Sequence, residues 1–146
     1  MKVIEPSTAD EYQRYYTLRW KVLRAPWNQP RGSEQDELEQ TSHHLMVIEN
    51  GHDVIAVGRL HFNNIREAQF RYMAVETAQQ RRGAGTLLLQ ALESKAAELG
   101  AARIVLEARE HALRFYHKQG YQAEGPGAVL FNTIPHVKMS KTLYVD

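Results

Sequence analysis

The apolar positions of the chain change their period part-way along it. A short strand is expected over Lys2–Ile4. From Ser7 or Thr8, either able to cap a helix with Asp10 or Glu11 in its first turn, Tyr12, Tyr15, Leu18 and Val22 form one stripe. That helix runs to about Arg24 and stops at Pro26. Residues 28–32 read as a loop and 33–40 as a short polar helix. Strands are predicted at 45–48 and 54–62, joined at Asn50-Gly51 as a hairpin. Asn63-Asn64 turns the chain into a third antiparallel strand over 68–75. A long helix follows at 83–99, with Leu88, Leu92, Ala96 and Leu99 on one face and Gly100 as its C-terminal cap. Ile104, Val105 and Leu106 make 103–108 a buried parallel strand. A second helix covers 110–119, 121–124 is short and extended, 125–127 is a turn, and 135–144 is a closing strand. The order predicts an α/β domain of the α+β mixed-sheet kind, with a strand–helix–strand unit inside a mixed sheet.

Composition narrows the chemistry. The chain has 146 residues, 43% hydrophobic and 24% charged, which suits one globular domain. It has no cysteine, which excludes disulfides, thiolate metal sites and a covalent cysteine intermediate. A net charge of +1 gives no bulk attraction to nucleic acid or to a membrane surface. No apolar run approaches the roughly 20 residues that span a bilayer, and the N-terminus lacks a signal peptide's apolar stretch. A complete, cytoplasmic protein is the expectation.

The segment Gln80-Arg81-Arg82-Gly83-Ala84-Gly85-Thr86 carries the strongest chemical signal. It precedes a long helix, whose first N–H groups lack backbone partners and carry partial positive charge. Such amides bind phosphate where no side chain blocks them. Gly83 and Gly85 keep the approach open, and Arg81 and Arg82 add cationic donors. Spacing alone is equally compatible with a glycine-bearing turn before a core helix. A P-loop is excluded because GxxxxGK[ST] is absent, and the dinucleotide fingerprint because Leu88 stands at its third glycine. The histidines form no HExxH pair, no GxSxG elbow exists, and no metal is predicted.

These residues resemble the GCN5-related N-acetyltransferase (GNAT) superfamily. Gln80 to Gly85 fits its [Q/R]-x-x-G-x-[G/A] signature, and Tyr72-Met73-Ala74-Val75 looks like the strand before it. Ala112 to Tyr121 resembles the family's A-x-x-[FL]-Y-x-x-x-G-[FY] helix. His111, Phe115-Tyr116 and Ile134-Pro135-His136-Val137-x-Met139 look like the ElaA-like branch. Arg109 departs from the asparagine that many members carry there.

The resemblance implies a single acetyltransferase domain over 1–146, with a central mixed sheet of six to seven strands flanked by about four helices. It implies that acetyl-CoA is the cofactor and a small-molecule or peptide amine the acceptor. The pantetheine arm would contact Met73, Ala74 and Val75, between splayed fourth and fifth strands whose gap a bulge in the fourth strand opens. The pyrophosphate would sit on the loop Gln80, Arg81, Arg82, Gly83, Ala84, Gly85, Thr86. The amine attacks the thioester directly, with an N–H of Ala74 or Val75 facing the oxyanion. Tyr116 matches the family's proton donor, since a phenol with a pKa of about 10 stays protonated at neutral pH. Glu76, Glu107, His111 and His136 are candidate bases, with water as the other option. Trp27, Asn28, Arg31 and His136 are placed at the acceptor. The acids between Glu34 and Glu39 read as a solvated helix face, or as an attractant for a cationic amine. Such folds also suggest a homodimer through the C-terminal strands. A non-catalytic acyl-CoA-binding module and a nicotinamide- or nucleotide-binding domain are the competing readings.

Overall fold

The computed structural model describes residues 1–80 and 82–143. Its seven strands form one sheet in the order β1-β2-β3-β4-β5-β7-β6. They are β1 (Lys2–Ile4), β2 (His43–Glu49), β3 (Asp53–Asn64), β4 (Glu67–Val75), β5 (Arg103–Arg109), β6 (Gln122–Leu130) and β7 (Ile134–Thr142). Every neighbouring pair is antiparallel except β4 and β5. The parallel pair is the one joined by α2 (Ala84–Glu98), as a crossover connection requires.

α1 (Ala9–Leu23) begins with a reciprocal cap: Thr8 Oγ1 accepts from the Glu11 amide at 3.1 Å, and Glu11 Oε1 accepts from the Thr8 amide at 3.1 Å. It packs Tyr15 and Leu18 onto Met46, Val57 and Ala74, on one face of the sheet. The opposite face is covered by α2 through Leu88, Leu89, Leu92 and Ala96, and by α3 (Leu113–Lys118), against Leu60, Phe70, Ile104, Leu106 and Met139. Burial alternates along β5, with Ile104, Leu106 and Ala108 turned to the α2 side and Glu107 exposed on the other.

Several sequence expectations are corrected. Residues 33–40 form turns, with only a short 3₁₀ segment at Glu39–Thr41, so among the described residues three α-helices flank the sheet. The acids expected on a solvated face divide: Glu37 is exposed, but Glu34 is 1% exposed, and Glu39, held by the buried Arg19 and Arg59, is 9% exposed. The helix expected over 110–119 is α-helical only in α3, after a 3₁₀ turn at Glu110–Ala112. No turn occupies 125–127, because β6 runs on to Leu130 and reverses at Phe131 and Asn132, both at positive φ. β3 extends through Asn64, whose side chain accepts from the amides of Arg66 and Glu67 and so heads the turn instead of lying within it.

Candidate active site

β4 and β5 pair from Glu67 and Arg103 up to Phe70 and Leu106, and there the ladder ends. Beyond that point β4 stays paired to β3 and β5 to β7, so the two strands part at their C-terminal ends. A bulge in β4 marks the parting. Arg59 pairs with Arg71 but Val57 with Ala74, so Tyr72 and Met73 together oppose Gly58. Tyr72 has φ +58°, unusual for a bulky residue. Gly58 is required opposite it: a Cβ there would lie 2.9 Å from Leu92 and 3.3 Å from Met73.

Past the bulge the antiparallel alternation decides which backbone groups face the gap. The Glu76 amide donates to the Ile55 carbonyl at 2.8 Å. Glu76 and, two residues back, Ala74 therefore point their polar groups at β3, while those of Val75 point into the gap. Of the two amides expected to face an oxyanion, Val75 has the orientation.

The turn before α2 has the form that phosphate binding needs. Gly83 is the N-terminal cap at φ +92°, and no side chain caps the helix. The Leu87 amide makes the first helical bond, to Gly83. The amides of Ala84, Gly85 and Thr86 thus lie in the uncapped first turn, where a helix concentrates its partial positive charge. Gly85 sits 3.5 Å from Val75 and 3.6 Å from Phe115, measured from the position of a Cβ, which ties this turn to the end of β4 and to α3. Gln80 is exposed and extended. Arg82 is partly exposed and pairs with Glu49 through both nitrogens, at 3.0 and 3.1 Å. Arg81 lies outside the described residues.

Tyr116 comes to the same gap from α3. Its ring is buried between Phe115 and Tyr121, and its hydroxyl donates to Met73 Sδ at 3.3 Å. Burial pushes the phenol above its ordinary value, so it carries its proton at neutral pH. The candidate bases are dispersed. His111 is exposed in the 3₁₀ turn before α3. Glu76 pairs with Lys21 at 3.0 Å. Glu107 lies on the α1 side of β5, and its Oε1 accepts from the Ala128 amide. His136 pairs in register with Arg109. Its Nδ1 faces the carbonyls of Ile134 at 3.1 Å and Ala128 at 3.2 Å; carbonyls only accept, so Nδ1 carries a hydrogen and, in the neutral tautomer, the lone pair falls on Nε2.

On the α1 side the structure assembles residues that sequence reasoning missed. Arg19 and Arg59, both fully buried, bond to Glu39 at 2.9 and 2.8 Å, and Arg59 also reaches Asp36 at 2.6 Å. Arg71 joins Asp36 at 3.1 Å. Burial alone would raise the Asp36 carboxyl, but the Arg59 hydrogen bond, the Leu38 amide and the charges of Arg59 and Arg71 outweigh it and hold the group down at about 2. The Tyr72 ring lies under the guanidiniums of Arg19, Arg71 and Arg59 at 4.4, 4.5 and 4.9 Å, which helps to hold its strained backbone. The available signals were slight: Arg19 follows Tyr15 by one turn beside the apolar stripe, and Arg59 interrupts an apolar run.

Trp27 stacks on Arg109 at 4.7 Å. Asn28 is exposed, in a left-handed conformation. Arg31 is held on α1 by Trp20, at 5.2 Å, and by Thr17 Oγ1, at 3.0 Å. Among the described residues no helix is long and apolar enough to cross a membrane.

Comparison with known proteins shows the family and the fold. The model of the acetyltransferase (GNAT) family matches residues 10–121. An uncharacterized N-acetyltransferase of Bacillus subtilis, YjcF, is 29% identical over 97% of this chain and 99% of its own. An aminoglycoside 6′-N-acetyltransferase solved with coenzyme A has a TM-score of 0.82 at 17% identity, covering 100% of this chain and 99% of that one. Escherichia coli ElaA has a TM-score of 0.78 at 16% identity, covering 96% and 97%, a likeness of fold.

Proposed function

The chain belongs to the acetyltransferase (GNAT) family and is an N-acyltransferase that uses coenzyme A thioesters, and from that premise we propose that it moves an acetyl group from acetyl-CoA to a primary amine within a ternary complex. The observation that carries this reading is the uncapped first turn of α2, joined through Gly85, Val75 and Phe115 to the gap beside Tyr116.

Bound acetyl-CoA supplies the thioester carbon and the leaving sulfur. The amides of Ala84, Gly85 and Thr86 hold the pyrophosphate, with Arg81 and Arg82 as cationic neighbours. Arg82 exchanges its partner Glu49 for phosphate at small cost, because an exposed ion pair is worth about 0–1 kcal/mol. The polar groups of Val75, together with those of Met73 at the bulge, line the pantetheine path, and the Val75 amide faces the carbonyl oxygen as charge develops there. The Tyr116 hydroxyl has a sulfur as its acceptor in this structure, the Met73 thioether, and donates its proton to the leaving thiolate during turnover.

The amine enters from the α1 side, where Trp27 and His136 flank Arg109. His136 Nε2 takes the ammonium proton, directly or through water. Glu107 is committed to the Ala128 amide, and His111 is on the exposed turn before α3. The test has two parts. Coenzyme A should raise the melting temperature by mass action. Acetyl-CoA should then release thiol with at least one member of a panel of amino acids, amino sugars, polyamines, aminoglycosides and peptide N-termini. Stabilisation with no release across that panel would leave a binding module in place of an enzyme.

A further inference from the structure

The arginines on the α1 side divide into two groups. Arg19, Arg59 and Arg71 are matched by Asp36 and Glu39. Arg24 and Arg109 are not. Both converge on one oxygen, the Leu23 carbonyl at the end of α1, with Arg24 Nη1 at 3.0 Å and Arg109 Nη2 at 3.3 Å. Arg24 is 6% exposed, and its Nε donates to the Ser33 carbonyl at 3.1 Å. No ion pair joins either guanidinium to a carboxylate among the described residues. Glu34 is near enough to attract Arg24, but its oxygens accept from the Gly32 amide and the Gln35 side chain.

Two guanidiniums brought to one carbonyl repel each other. Burial, and then the charge of Arg24, pull Arg109 below its ordinary value, though an arginine remains charged throughout. Capping the C-terminus of α1 explains one cation there. It leaves Nη2 of Arg24, and Nε and Nη1 of Arg109, with no acceptor among the described residues. The Phe131 ring lies 5.6 Å from Arg24 and the Trp27 ring 4.7 Å from Arg109. Phe131 also takes a positive φ in the reversal between β6 and β7. Arg109 ends β5 at the parted end of the strands, and Tyr72, next to the Met73 that meets Tyr116, is 5.6 Å from Arg24.

We propose that the acceptor carries an oxyanion, a carboxylate or a phosphate, which Arg24 and Arg109 grip together between the Trp27 and Phe131 rings so that its amine reaches the gap. The inference rests on the acyl-transfer reading and deepens it by naming the acceptor as an anionic amine. A planar guanidinium matches either oxyanion bidentately, and an anion between the two arginines removes their repulsion. A polycation such as an aminoglycoside finds the opposite of what it needs here.

The test uses matched acceptors in the thiol-release assay: phenylalanine against 2-phenylethylamine, glucosamine 6-phosphate against glucosamine, and kanamycin as the polycation. Paired amines differ in intrinsic reactivity, so the readout is the change in each kcat/KM ratio on substitution. In the wild type one anionic member should be preferred, and which pair shows the preference tells carboxylate from phosphate. Arg109→Gln should lower that ratio by about tenfold or more, mainly through KM, and Arg109→Lys should keep part of it. The proposal is overturned if kanamycin or a neutral amine outruns both anionic members. It also fails if the ratio is unchanged in an Arg109→Gln protein that keeps the wild-type melting shift with coenzyme A. Absence of thiol release with all of these amines and with every member of the wider panel would remove the acyl-transfer reading itself, a separate and recognisable failure.

Discussion

On the α2 side of the gap, the groups offered to a ligand are main-chain amides at the start of one helix and a single phenol. On the α1 side they are the guanidiniums of Arg24 and Arg109, beside those of Arg19, Arg59 and Arg71, which the carboxylates of Asp36 and Glu39 neutralise. The first arrangement needs little more than a short segment with glycine in the right place. The second needs side chains far apart in sequence to meet, and it is held by compensation of buried charge. A cofactor common to a family can be bound by backbone; an acceptor peculiar to one member must be read by side chains. The contrast can be broken or sharpened experimentally.

The largest effect on stability should come from Glu39→Ala. It leaves Arg19 without its carboxylate and Arg59 with one in place of two, so a loss of about 3–5 kcal/mol is expected in denaturant unfolding. A loss under 1 kcal/mol would mean that the network is open to water. Of similar size, but in activity, Tyr116→Phe should reduce kcat by about 10²–10⁴-fold with little change in the KM for acetyl-CoA. An unchanged kcat would remove Tyr116 from the chemistry.

The acid limb of stability tests the α1 side again. The folded-state value of Asp36 is depressed to about 2, below the ordinary carboxylate value of about 3.9, so its contribution is full above the latter and disappears as pH falls through the former. The wild type should lose stability between about pH 4 and 2, and Asp36→Asn should flatten that limb while lowering stability at pH 7.

Smaller effects are expected at the turn before α2. Gly83→Ala places a side chain at φ +92° and should cost about 1–2 kcal/mol, together with part of the melting shift given by coenzyme A. Arg82→Ala removes an exposed pair with Glu49. It should change stability by less than about 1 kcal/mol and weaken cofactor affinity only a few-fold. A larger loss on the cofactor side than in the Gly83 variant would shift the weight of phosphate binding from amides to side chains.

The legibility of the sequence follows the same division. The mixed α/β class, the crossover helix, the glycine turn and the tyrosine of α3 were readable, because each depends on local periodicity or on a contiguous motif. The family resemblance implied a bulge in the fourth strand, but its position at Tyr72 was not readable, since nothing in Tyr72-Met73-Ala74-Val75 marks the extra residue until Gly58 stands opposite it. Residues 33–40 were misjudged as a polar helix for a related reason: acidic residues look solvated until Arg19 and Arg59 are seen facing them.

By itself, then, the order of residues determined most of the elements, their sequence along the chain and the glycine turn before α2, all set by interactions within a few positions. The tertiary structure alone decided where β4 and β5 part, which strand amide faces the gap, and which arginines are neutralised. Those outcomes depend on the register between strands and on charge paired across long separations. Arg109, at the end of β5, lies 86 positions beyond Leu23, and only folding brings it to the carbonyl oxygen that Arg24 also meets.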